Sequence, residues 1–284
     1  WFRYHRLFAD LLRLELRRSA PGELTALHRT AAGWLAGHGY PIEAIRHAKA
    51  ARDWNLAVRL LADHWPVLHL DGQAATVHGL LTGFPDDVIA ADSELAALFA
   101  ADELAHGSVE AARRYLGLAE RNSTAVPARR REHACLLLGI VRLMLSQLRG
   151  NLPEVMADQA RQLQETAEAQ DATRPGLGEE LRALTLNGLA IAESWAGDFD
   201  EARRHLELGR ALAQRIGRPY LEFKNLTYQA SNEFFASFEL ASDHGMRAVE
   251  LAERHGWTEE PAAGPAYMIL GAVRVWQGLL DESE

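Results

Sequence analysis

The sequence holds a single cysteine, Cys135, and two lysines, Lys49 and Lys224, among 30 basic side chains. One cysteine excludes an internal disulfide framework and fits a reducing compartment, so a cytoplasmic location is expected. Its place in the apolar run ACLLLGIV points to an inert, buried thiol rather than a nucleophile. Neither lysine follows a glycine, which removes the phosphate-binding loop G-x-x-x-x-G-K-[ST]. No apolar stretch approaches the roughly 20 residues needed to span a bilayer. The longest, residues 134–145, is broken by Arg142.

Other catalytic signatures are missing too. No G-x-S-x-G elbow and no H-E-x-x-H pair occurs, and Cys135 has no activating neighbour. The twelve histidines are scattered; His64 and His69 stand five apart, a spacing that does not share one helical face, so no metal site is expected. Acid pairs occur at Asp86-Asp87, Glu179-Glu180 and Glu259-Glu260. Each falls at an expected helix start, where the helix dipole favours negative charge, and general acid–base work is not needed to explain them. The sequence therefore reads as a non-enzyme.

The net charge of −9 argues against bulk nucleic-acid binding. It is unevenly spread: residues 1–60 carry ten basic against five acidic side chains. A basic opening on an acidic body means either that the two parts face different neighbours or that both are ordinary solvated helix faces.

Helical periodicity dominates what is present. The chain opens with WFRYHRLFADLLRLELRR and no initiator Met, and Leu7, Phe8, Leu11, Leu12 and Leu16 form one stripe of a helix. Pro21-Gly22 ends it, a second helix runs from about Glu23 to His38, and two short helices follow, hinged near Arg52-Asp53. From there the chain repeats itself: AHGSVEAARRYL from Ala105, LRGNLPEVMADQ from Leu148, WAGDFDEARRHL from Trp195 and WQGLLDES from Trp276, with a degenerate copy, FASFELASDHGM, from Phe235. The turn glycines are Gly107, Gly150, Gly197 and Gly278. A period near 40 with glycine turns and small residues after them (Ala111, Ala202, Ala241) is the mark of stacked helical hairpins, with helices longer than those of the 34-residue tetratricopeptide repeat. The expected fold is an all-α superhelix of tetratricopeptide-like hairpins, residues 84–284, behind a short N-terminal helical segment, residues 1–83. The last copy stops at Glu284 inside its second helix, so both ends are expected to be cut from a longer protein.

Three segments resemble one family. WFRYHRLFADLLR is similar to the segment that closes the ATPase module of the large LuxR-type, ATP-dependent (MalT-like) transcriptional regulators. HGYPIEAIRHAKAARDWNLAVRLL, residues 38–61, is similar to that family's next helical segment, and FPDDVIAADSELAALFAADELAHG, from Phe84, resembles the entry into its superhelix. The resemblance implies an inducer-sensing or partner-binding superhelix. ATP and DNA sites are expected only in absent parts of the full-length protein, self-association is plausible, and this piece itself needs no cofactor, nucleic acid or membrane.

Counting back two residues from each turn gives Trp195, Phe234 and Trp276; counting back four gives Glu193, Asn232 and Arg274. If this register lines the concave face, the aromatics form a stacking ladder for a small molecule or apolar peptide, and the polar set, with Asn187 on the same helix, fixes its orientation. The competing role is packing: Leu181, Leu184, Ile191 and Trp195 read as a continuous apolar stripe, and Tyr228 and Tyr267 as core. A stand-alone helical-repeat adaptor for a protein or peptide is the alternative function.

Overall fold

A computed structural model describes residues 6–19, 21–149 and 177–279. Gly150 and the repeat copy after it, the opening WFRYH, and the chain from Leu280 lie outside the described residues. Every long element among them is an α-helix, with short 3-10 turns between some pairs and no strand. The first helices are α1 (Arg6–Ser19), α2 (Pro21–Gly37), α3 (Pro41–Ala50) and α4 (Trp54–Leu70). Asp53 caps α4 by accepting from the Leu56 N–H at 3.2 Å, and Arg52 before it takes φ 54°, so the expected hinge is a tight left-handed turn. The α1 stripe faces solvent: Leu7, Phe8, Leu11 and Leu12 are all exposed.

Next come α5 (Ala74–Leu81), α6 (Asp86–Ala91), α7 (Ser93–Ala105), α8 (Val109–Asn122) and α9 (Arg131–Arg149). The α7–α8 hairpin follows the repeat logic. Gly107 turns at φ 76°, and Ala111 and Ala112 let α8 lie close on α7. One apolar cluster runs from Ala32 to Leu145 across residues 83 and 84. Cys135 corrects the sequence reading, because its thiol is exposed. It sits seven residues before the exposed Arg142, on the outward face of α9, while Ala134, Leu136 and Leu137 turn inward.

The second body of hairpins comprises α10 (Leu177–Ala196), α11 (Phe199–Arg215), α12 (Pro219–Glu233), α13 (Phe238–His255) and α14 (Gly264–Trp276), each packed on the next. Gly197 and Gly278 turn at φ 81° and 79°, as the repeat requires. The degenerate copy turns without glycine: the Glu233 carbonyl accepts from the Ala236 and Ser237 N–H groups, and Ser237 Oγ caps α13 at Leu240 N. Asp86-Asp87 and Glu179-Glu180 do open α6 and α10. Glu259-Glu260 does not open an α-helix: it precedes a 3-10 turn at Pro261–Ala263, and α14 begins only at Gly264.

The superhelix closes on itself. Leu70, at the end of α4, is buried in a cluster with Ala183, Leu186, Leu212, Ala213 and Leu221. Arg218 reaches across the same junction, donating to Asp71 at 3.3 Å and to Glu180 at 2.9 Å. Gly72 turns there at φ 68°, and a Cβ placed on it would stand 2.7 Å from the Tyr220 ring. Both its left-handed backbone and its lack of a side chain are therefore used. We expect Gly72→Ala to cost about 2–4 kcal/mol, the sum of left-handed strain and overpacking. Urea unfolding checks this, and a cost near zero would mean that the junction is loose.

Candidate functional site

The sequence-derived site residues do not converge. A two-residue step along a helix rotates about 200°, so the positions two and four before each turn face nearly opposite ways. Trp195 and Trp276 are exposed, at 55% and 72%, on the turn edge. The expected inner ladder therefore becomes an outer rim, and the apolar stripe stops short of Trp195. Phe234 is half-buried against Ala230, Ala241, Ile269 and Val273, with its ring 5.0 Å from Phe235. Tyr267, expected in the core, is exposed.

The polar set goes inward but not to one place. Glu193 is buried in a 2.7 Å pair with His205 Nδ1. Asn232 is buried, its Nδ2 without a hydrogen-bond partner among the described residues. Arg274 is half-buried on α14. Asn187 alone faces the interior, where its Nδ2 donates to Asn225 Oδ1 at 3.5 Å.

That interior holds a half-open cavity of about 230 Å³ beside the junction. Its apolar wall comes from Leu104 on α7, Ile140, Leu143 and Met144 on α9, and Leu184 on α10. Exposed Leu148 sits at its rim. Among the described residues, three polar groups line it: Asn187, His69 from the last turn of α4, and Lys224 from α12. The His69 ring stacks on Trp65, with centroids 5.0 Å apart.

The two lysines of the chain have different fates. Lys49 Nζ donates to the Leu80 and Thr82 carbonyls at 2.5 and 2.6 Å and lies 4.8 Å from the Phe84 ring centroid. Its role is structural, closing the end of α5. Lys224 has no such partner among the described residues, and burial alone pushes its ammonium pKa down. An uncompensated cation against apolar walls is costly. Sequence reasoning used Lys224 only to exclude a phosphate loop. Its signal was a rare lysine set between the core positions Phe223 and Asn225.

Burial, and then the charge of Lys224, push His69 down to about 3, so its imidazole is neutral near pH 7. The sign of the resulting pH effect follows from linkage. The unfolded chain takes up this proton near pH 6.5 and the folded chain only near 3, so folded stability falls as pH drops through that interval. His69→Gln should lose less stability than the native chain between about pH 7 and about pH 4.5, in paired urea titrations. An equal loss would contradict the assignment.

The histidines are less scattered than the sequence suggests. His78, Asp102 and His106 place one potential ligand atom each within 4.8 Å of one another. They also satisfy one another: His78 Nδ1 lies 2.8 Å from Asp102 Oδ2, and His106 Nδ1 lies 2.7 Å from the Asp102 carbonyl. No ion is needed to explain the cluster. No described helix is long and apolar enough to cross a membrane.

The described helices form an all-α, tetratricopeptide-like superhelix with a half-open interior cavity. No protein-family profile matches the chain. Its curated relatives include the HTH-type transcriptional regulator MalT of Yersinia pestis (strain Pestoides F), 40% identical over 100 residues, which cover 34% of this chain and 11% of that protein. They also include the serine/threonine-protein kinase PknK of Mycobacterium tuberculosis (strain H37Rv), 34% identical over 95 residues, covering 34% of this chain and 9% of the kinase. The chain thus spans about a tenth of the length of these relatives. Among solved structures, a signal transduction ATPase with numerous domains and a tetratricopeptide repeat sensor, from Pyrococcus horikoshii, aligns over 95% of this chain and 52% of its own, with a TM-score of 0.36 and 14% identity. About a third of the chain is homologous to a segment of MalT.

Proposed function

We propose that this chain is the signal-sensing superhelix of a MalT-like, ATP-dependent transcriptional regulator, and that its input is a small molecule held in the interior cavity. The observation that carries this reading is the cavity: apolar walls with a few convergent polar groups, the composition of a ligand site. Its walls come from helices on both sides of the α4–α12 junction. A ligand touching both sides binds the closed ring better than an opened one and shifts the population toward closure. The relatives support an input role, since one is named a transcriptional regulator and the other a protein kinase, and this chain has counterparts in both. On this reading ATP and DNA contacts, and self-association through the ATPase module, belong to other parts of a longer protein.

One observation favours the adaptor reading as a second possibility: Trp195, Phe199, Phe235 and Trp276 are exposed on the turn edge of successive hairpins and offer an apolar rim to a peptide. A thermal-shift screen of small metabolites separates the two. A ligand at a hundred times its Kd should raise the melting temperature by about 5–10 °C. Met144→Trp, which fills the cavity, should abolish that shift, while Trp195→Ala and Trp276→Ala should leave it intact. The reverse pattern would move the site to the rim.

A further inference from the structure

The polar groups of the cavity are unbalanced. Of its three polar wall residues, Asn187 is hydrogen-bonded to Asn225, and His69 lies against Trp65. Among the described residues that line the cavity, Lys224 alone brings a full charge, and no carboxylate comes with it. Elsewhere, several partly buried arginines meet acids. Arg130 donates to Glu94 at 2.6 and 2.9 Å, Arg203 to Glu233 at 2.7 Å, and Arg218 to both Asp71 and Glu180. Charges shielded from water are ordinarily paired, and the half-buried Lys224 meets no acid among the described residues of the cavity wall. An anionic ligand in the cavity would supply that acid.

We infer that the cavity binds a small organic acid, its anionic head paired with the Lys224 ammonium and its apolar body packed against Ile140, Leu143, Met144 and Leu184. This rests on the reading of the cavity as a ligand site and adds the chemical class of the ligand. A volume of about 230 Å³ lies below the range of about 300–1,000 Å³ usual for drug-sized ligands, which limits the acid to a compact one. Neutral His69 and Asn187 supply a hydrogen-bond donor or acceptor each beside the head group, without a second charge. A neutral sugar or alcohol would leave the ammonium as it found it. A carboxylate pairs with it through charge-assisted hydrogen bonds, strengthened by the apolar walls around the half-buried ammonium.

The test uses hexanoate and benzoate as probes, with 1-hexanol and benzyl alcohol as their neutral counterparts, titrated calorimetrically into the whole chain. The native chain should bind each acid at least tenfold more tightly than its alcohol. Lys224→Met should bring the acids down to the level of the alcohols without weakening the alcohols, and Lys224→Arg should keep the preference. Lys224→Met should also melt no lower than the native chain, since it replaces an unpaired charge with an apolar side chain of similar length; this guards against reading misfolding as lost binding. Equal binding of acid and alcohol in the native chain, both lost in Met144→Trp, would overturn the acid assignment while leaving the cavity as the ligand site. No acid binding, or a preference that survives Lys224→Met, would also overturn it.

Discussion

The arrangement depends on one long-range contact, the seating of the α4–α5 turn on the face made by α10, α11 and α12. Helical hairpins stack locally, and a stack of them can stay open indefinitely. Here Leu70 is buried among Ala183, Leu186, Leu212 and Leu221, and Arg218 spans 147 residues of sequence to reach Asp71. This turns a ribbon of hairpins into a ring. His69 ends up facing Lys224 because Leu70 and Gly72 flank it on the helix end that makes the seal. The seal and one wall of the cavity are thus made by one piece of chain.

The electrostatics have the same division. The ion pairs that cross between helices are short and mostly shielded. Glu94 shows the pattern: burial raises its pKa, but hydrogen bonds from His133 and Arg130 outweigh that and hold it below the usual carboxylate value. These pairs lock neighbouring hairpins together. Among the described residues the cavity wall carries instead an ammonium with no carboxylate beside it and a neutral imidazole.

The repeat architecture was legible in the sequence because its determinants are local. Gly107, Gly197 and Gly278 take the left-handed turns that their spacing implied; Ala111 and Ala202 are buried after the first two of them, and Ala241 after the glycine-free turn. The site was not legible, for two physical reasons. Counting residues back from a turn fixes a position along a helix, but its direction depends on the 100° step per residue, and a shift of two moved Trp195 from the inner face to the outer. The cavity also depends on the ring closure, which brings His69, Asn187 and Lys224 together from three helices far apart in sequence. No periodicity announces such a contact. Asn187 shares a helix with Trp195, so the repeat spacing reaches it; Lys224 stands outside the turn register, and the sequence marks it only by the rarity of lysine.

The central claim is the closed ring, and the contact between Gly72 and the Tyr220 ring reports it most directly. Nuclear Overhauser spectroscopy of the whole chain, with glycine and tyrosine selectively labelled, should show cross-peaks between the Gly72 α-protons and the Tyr220 ring protons, with the α-protons shifted by the ring current. Gly72 α-protons at random-coil shifts, with no cross-peak to Tyr220, would mean that the superhelix is open in solution and that the interior site does not exist as described.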